Sequence, residues 1–458
     1  MAPKFGTSGL RGLVTELTRD CVGAHVAGFA RACQMGSGLY IGHDLRESSP
    51  RIAAMVAEAA QAAGLAVTDC GAVPTPALAL AAMEAEAAAV MVTGSHIPAD
   101  RNGLKFYTPD GEITKRDEQA ILAALGETGD AVPAATIKQR TDVGARYAAR
   151  YRDAFGGCLQ GMRLGLYAHS AVGASLMQDL LLDLGAEVDV LGRSEVFLPV
   201  DTEAVSPSLR AQLRDWAASG RYDAILSTDA DGDRPLLTDA AGEVVPGDIL
   251  GQITAAALGA EMVVTPVSSN TGAEAAGHFT RVIRTAIGSP YVIAGMADAG
   301  GRVAGYEANG GFLLGYAADG PVGVIAPLMT RDALLPILAV LHQAQGGGVA
   351  DLIAAQPPRF TASDRLQEVP TEVSQRLVRQ LSDDPAARVE FLSQFGIGRE
   401  TSINTLDGLR ITLSDKRIVH LRPSGNAPEL RLYTEAESKG MAQKMLDRGL
   451  DLLRKTTG

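Results

Sequence analysis

Three times along this chain, short apolar runs alternate with segments of helical composition, and that rhythm restricts the possible fold more than any other feature. Gly38–Asp44 (GLYIGHD), Leu65–Asp69 and Ala87–Thr93 (AAAVMVT) read as strands, spaced by an Ala-rich helix over Pro50–Ala63 and by a helix opening near Pro74–Pro76. Met162–Ala168, Glu187–Leu191 and Asp223–Thr228 repeat the pattern, and Glu261–Thr265, Arg281–Thr285 and Arg302–Glu307 repeat it again. Strand-like runs separated by helical segments are the signature of βαβ units, whose strands lie mostly parallel under helices.

The texture changes near Phe360. A charged helix candidate (Thr371–Ser382), strand-like segments at Gly408–Leu413 and Arg417–Arg422, the run LRLYTEA and a last amphipathic helix from Glu437 describe a smaller α+β module. At 458 residues the chain exceeds one hydrophobic core; one domain per roughly 150 residues gives about three, or four short ones. The expected fold is therefore α/β: three similar mixed domains with mostly parallel sheets, then a smaller C-terminal α+β domain. The expected domains are 1–140, 141–247, 248–358 and 359–458, with joins near Lys138–Asp142, Val245–Asp248 and Gln356–Phe360.

The formal charge of −12 argues against a nucleic-acid or anionic-membrane partner, because both demand basic patches. Cys21, Cys33, Cys70 and Cys158 form no C-x-x-C pair, so a disulfide scaffold or structural zinc is not expected and reduced thiols in a cytoplasmic protein are. The opening MAPKFGTSGLRG lacks the apolar core of a secretory signal. The longest apolar stretches, Val324–His342 and Ala77–Val92, are broken by Arg331 and Asp332 and by Glu84 and Glu86, which disfavours membrane spans. Gly346–Gly348 reads as a loop after a helix, and no Walker A or G-x-G-x-x-G pattern points to a nucleotide.

Four segments carry recognisable chemistry. In Thr93-Gly94-Ser95-His96-Ile97-Pro98, running on to Lys105, an apolar strand delivers an exposed serine beside an imidazole, at the strand end where α/β sheets hold ligands. Ordinary turns use the same residues, and the hydrolase elbow G-x-S-x-G is not matched. Asp229, Asp231 and Asp233, followed by Arg234, come directly after a strand. Carboxylates spaced i, i+2, i+4 repel unless a hard cation neutralises them, and oxygen-only ligands suit Mg²⁺ or, as the lesser fit, Ca²⁺. An EF-hand is excluded, since Arg234 holds its glycine position and Ala240 its twelfth. Glu307 and Asn309, in a glycine-rich loop ending at Gly311, offer hydrogen bonds to vicinal sugar hydroxyls, although a plain turn has the same composition. Arg422, Ser424, Gly425 and Asn426 in RPSGNAP offer a cation, a hydroxyl and backbone N–H groups to a phosphate monoester.

Taken in order with Phe5–Gly12 (FGTSGLRG), these segments resemble the α-D-phosphohexomutase family over essentially the whole chain. The resemblance implies four domains around a central cleft, bearing in turn a phosphoserine loop, a metal loop, a sugar-recognition loop and a phosphate-binding loop. It implies that Ser95 carries the phosphoryl group, that Asp229, Asp231 and Asp233 bind Mg²⁺ with a phosphoserine oxygen, and that Arg11, His96, Lys105 and Arg234 line the reaction centre. By the same matching Glu307 and Asn309 read the sugar, and Arg422, Ser424, Gly425 and Asn426 grip the distal phosphate. The implied activity is reversible transfer between C6 and C1 of a hexose phosphate, mannose first and glucose or glucosamine as alternatives, with a hexose 1,6-bisphosphate as intermediate and activator. Ile97 stands where relatives usually have Asn, and Gly311 where they often have a histidine that is a candidate for proton transfer, which leaves Lys105 or Arg11 for that role. The Arg284–Gly288 loop corresponds to one that influences sugar choice. Two rivals remain from the residues themselves: an aspartyl-phosphate hydrolase built on Asp229, and a sugar-phosphate binder without turnover.

Overall fold

The computed structural model describes residues 3–6, 9–126, 136–396, 398–424 and 428–457. The chain divides into two compact units: Met1–Val264 with Gly288–Ile353, and Thr265–Ile287 with Ala354–Gly458.

Three larger sheets lie in unit 1, beside a two-stranded one of Ala318–Asp319 and Val324–Ile325. In the first, Leu39–His43 lies parallel between Val67–Ala72 and Ala88–Val92. Every residue of Ala88–Val92 is buried, as a parallel strand covered on both faces requires. The Ala-rich helix spans Ser49–Ala62 and buries Ile52, Ala53, Val56, Ala57 and Ala60, a stripe at helical spacing that small side chains bring close to the sheet. One element departs from the sequence expectation. The residues through Lys105 continue the serine loop on paper, yet Arg101–Thr108 is a strand, paired antiparallel with Ala88–Val92 and with Leu10–Leu13. Its buried Leu104, Phe106 and Tyr107 supply the driving force, and the sheet is mixed rather than parallel throughout.

The second sheet runs Glu187–Leu191, Arg163–Tyr167, Ala224–Thr228, Pro235–Leu237, with only the last pairing antiparallel. In the third, the first three residues of Met262–Pro266 pair parallel with Val303–Tyr306, which is followed antiparallel by Phe312–Leu314 and Leu328–Asp332. The apolar stretch Val324–His342 resolves into the short strand Val324–Ile325, that last strand and the buried helix Leu334–Gln343. Among the described residues no helix is long and apolar enough to cross a membrane, and the four cysteines are free thiols.

Unit 2 carries an antiparallel sheet in the order Phe360–Gln367, Glu429–Ala436, Ile418–Pro423, Leu409–Leu413, Glu400–Asn404. One face packs Leu409, Ile411, Leu421, Leu430 and Leu432 with residues of helices Thr371–Asp383, Pro385–Phe395 and Lys439–Thr457. Alternation then sends His420, Arg422 and Tyr433 to the other face. The C-terminal module is α+β, as its texture indicates.

Candidate active site

Strand Ala88–Val92 ends in Thr93, whose hydroxyl accepts the Ser95 N–H at 2.8 Å and donates to Asp44 at 2.7 Å. Ser95 takes up a left-handed backbone, φ +52°, which costs a non-glycine residue about 1–2 kcal/mol. Arg46 offsets that. Its buried guanidinium pairs with Asp44 and donates to the carbonyls of Ser95, Ile97, Pro98 and Arg101 at 2.7–2.9 Å, and it lies 4.0 Å from the Phe197 ring centroid. Gly94 is required here, because a Cβ would lie 2.6 Å from Arg46 Cζ. The sequence suggests an exposed serine; the structure corrects this, with Ser95 only 1% exposed beneath the acidic loop.

That loop leaves the end of strand Ala224–Thr228. Ser95 donates to Asp229 Oδ2 at 2.5 Å. Lys105 Nζ donates to Asp231 Oδ2 at 2.6 Å and to Asp233 Oδ2 at 2.5 Å, and Thr75 Oγ1 donates to Asp231 Oδ2 at 2.5 Å. Arg331 Nη2 meets Asp233 Oδ2 at 2.8 Å, and Arg234 lies 3.8–4.0 Å from Asp229 and Asp233. The three carboxylates are thus opposed by side-chain cations as well, which their spacing alone does not reveal. His96 Nδ1 lies 3.0 Å from Arg234 Nη1 and 3.2 Å from Ser95 Oγ.

The electrostatics follow. Burial, then repulsion from Asp231 and Asp233, pushes Asp229 well above the usual carboxylate range. Burial also disfavours charge on Asp231 and Asp233, but Lys105 for the first and Arg331 for the second outweigh it and hold both low. Burial and the neighbouring Arg234 and Arg11 hold His96 neutral. Arg11, buried beside Arg234 and Arg331, is lowered to about 10 and has no ion pair among the described residues.

The set fits a hard divalent ion. One oxygen from each of Asp229, Asp231 and Asp233 lies within 4.8 Å of the others, and the buried Oδ1 atoms of Asp231 and Asp233 have no hydrogen-bond partner. Such orphaned anionic oxygens are costly unless a cation takes them.

Glu307 follows strand Val303–Tyr306, and its Oε2 meets Arg331 Nη1 at 3.4 Å. Asn309 Oδ1 accepts the Gly311 N–H at 3.0 Å, so its amide nitrogen is the group left to donate. The motifs do not contain Arg331, Thr75, Arg46 or Asp44; the one sequence signal was an arginine interrupting an apolar run at position 331.

In unit 2, Arg422 Nε donates to Asp407 Oδ1 at 2.7 Å, and His420 Nε2 lies 2.6 Å from the Asp407 carbonyl. The Ser424 N–H donates to the Glu429 carbonyl at 2.9 Å; Gly425 and Asn426 lie outside the described residues. Arg284 spends its guanidinium within its own unit, on Glu274 and on the carbonyls of Pro266, Ser269 and Asn270.

A buried serine at a strand end, set against a carboxylate triad with free oxygens and a cluster of cations, is the kind of arrangement that phosphoryl transfer requires. Three family models match the chain: phosphoglucomutase/phosphomannomutase alpha/beta/alpha domain I over residues 2–131, alpha/beta/alpha domain III over 246–360, and the C-terminal domain over 363–451. A phosphomannomutase of Sinorhizobium fredii is 43% identical over 99% of both chains, and one of Salmonella muenchen is 41% identical over 99% of this chain and 96% of its own. The fold is also that of a phosphoglucomutase/phosphomannomutase family protein from Burkholderia thailandensis, with a TM-score of 0.78, 21% identity, and 98% and 96% of the two chains covered. The chain belongs to the phosphoglucomutase/phosphomannomutase family of α-D-phosphohexomutases and is an isomerase of that class.

Proposed function

We propose that this enzyme interconverts mannose 6-phosphate and mannose 1-phosphate through phosphoserine 95 and a hexose 1,6-bisphosphate, in the cytoplasm. The observation that carries the mechanism is Ser95 Oγ at 2.5 Å from Asp229 inside a triad with two orphaned oxygens. Full-length identity above 40% to two phosphomannomutases supports mannose over glucose or glucosamine, and the free thiols agree with a reducing compartment.

Asp229, Asp231 and Asp233, with an oxygen on Ser95, would hold Mg²⁺, which when bound neutralises charge on the transferring group. The P–Oγ bond of phosphoserine 95 breaks, leaving its electron pair on Oγ, as a hydroxyl of the hexose monophosphate forms the new P–O bond; the hydroxyl proton ends on Ser95 Oγ, which in the unphosphorylated protein donates to Asp229. After the sugar reorients, its other phosphate returns to Ser95. Arg46 and Thr93 fix Ser95 for in-line attack. Lys105 is clamped between Asp231 and Asp233 beside the transferring group. Arg11 and Arg234 are the cations that receive the phosphoryl oxygens, and His96 accepts from Arg234. Glu307 and Asn309 contact the sugar hydroxyls. Arg422 and Ser424, with Gly425 and Asn426, take the phosphate that is not reacting. The four segments 1–140, 141–247, 248–358 and 359–458 divide these tasks as serine, metal, sugar and phosphate domains.

The test is ³¹P NMR with Mg²⁺, a trace of hexose 1,6-bisphosphate and, in parallel, the 1-phosphates of mannose, glucose and glucosamine. Fastest conversion of mannose 1-phosphate to the 6-phosphate is expected. A faster rate with another sugar reassigns the substrate, and free phosphate without a 6-phosphate favours the hydrolase.

A further inference from the structure

One residue outside every sequence motif joins the metal loop to the sugar loop. Arg331, on strand Leu328–Asp332, is 2% exposed. Its guanidinium lies 2.8 Å from Asp233 Oδ2, 3.4 Å from Glu307 Oε2 and 3.9 Å from Glu112 Oε1. The stem has room because residue 311 lacks a side chain: a Cβ on Gly311 would lie 2.7 Å from Arg331 Cδ, 2.9 Å from Cγ and 3.2 Å from Cβ. These atoms are near the backbone of Arg331, so the clash has no cheap release. Gly311 does not have a positive φ, so the space it leaves, and not its backbone conformation, accounts for glycine there.

We propose that Arg331 is a positioning residue for the hexose-phosphate reaction, a permanent cation that anchors Glu307 to Asp233 in the volume left open at Gly311. The inference rests on the mutase reading of the site. Three carboxylates surround this single guanidinium, so its charge is already matched and it orients acids rather than binding phosphate. Glu307 is held through Oε2, and its Oε1 takes no hydrogen bond among the described residues, which leaves that oxygen to accept from a sugar hydroxyl. A guanidinium stays protonated at any working pH, so Arg331 keeps its charge and transfers no proton in the space that Gly311 leaves open.

The test compares Arg331→Met, Arg331→Lys, Gly311→Ala and the Gly311→Ala/Arg331→Met double variant for kcat and KM with mannose 1-phosphate and Mg²⁺. Loss of the anchor is expected to raise KM about ten- to hundred-fold, the range for a hydrogen bond to a charged group, with a smaller fall in kcat. Arg331→Lys recovers part of the loss. Gly311→Ala displaces the guanidinium and raises KM, and the double variant is no worse than Arg331→Met because both changes remove one interaction. A wild-type KM in Arg331→Met, or additive losses in the double variant, overturns the inference. If Arg331→Met does not melt cooperatively, Gly311→Ala decides, since it keeps the cation and shifts only its place; wild-type KM in that variant overturns the inference too. Failure of the mutase reading appears in the wild type itself, whereas failure of this inference appears only in the variants.

Discussion

The Ser95–aspartate site of unit 1 and the Arg422 face of unit 2 both present charge, yet they reach it by opposite routes. In unit 1 the chemistry sits at the ends of strands buried on both faces. Ser95 follows Ala88–Val92, Asp229 follows Ala224–Thr228 and Glu307 follows Val303–Tyr306, so each group becomes available only where the apolar run stops. In unit 2 the strands are amphipathic, and His420 and Arg422 sit within one of them, on the face opposite the core. Burial makes the first region a network whose charges depend on one another, as Lys105, Arg331 and the triad do. The second is a sparser set, in which Arg422 and His420 both meet Asp407. The denser a buried network, the more of its groups fail together when one is removed.

The largest effect that sharpens this contrast is Ser95→Ala, expected to reduce mutase turnover by roughly 10³-fold or more while the protein remains folded. Because Ser95 is left-handed, Ser95→Gly should be equally inactive but melt higher than Ser95→Ala, by about 1 kcal/mol of relieved strain. Paired activity and calorimetry check both; an active Ser95→Ala protein refutes the phosphoserine route. Next comes Arg422→Ala, expected to raise KM about ten- to hundred-fold with kcat changed less. A loss of kcat as deep as that of Ser95→Ala would erase the distinction between a reacting region and a gripping one.

The smallest effect concerns stability. Burial, relieved only partly by the Asp407 carbonyl, lowers His420 to about 4. The imidazole is neutral in the fold, so its contribution is complete above about 6.5 and is lost as pH falls from there through about 4, up to roughly 3 kcal/mol. Melting curves between pH 7 and 4 should show this decline, and His420→Gln should flatten it. An unchanged slope in the variant would place the acid sensitivity elsewhere.

Much of this was legible in the letters because the relevant physics is local. Ala87–Thr93 and Asp223–Thr228 are apolar runs bounded by turn residues, so the strands and the groups that follow them could be read directly. Crowded carboxylates at Asp229, Asp231 and Asp233 announce a cation on electrostatic grounds alone. The strand Arg101–Thr108 escaped because turn-type residues at its start resemble a loop, and only its pairing on both sides reveals it.

What the sequence determined by itself is the repeated strand–helix order, the serine, the triad and the family to which they point. Tertiary structure decided which charges neutralise which. Nothing in the spacing between Lys105 and Asp231, or between Gly311 and Arg331, states that they meet. Burial of Ser95 under the acidic loop, its left-handed backbone and the arginine filling the space above Gly311 all arise when separate strands come together. The physical reason is that hydrophobic periodicity is written along the chain, whereas compensation of buried charge is a relation between distant segments and exists only in the folded molecule.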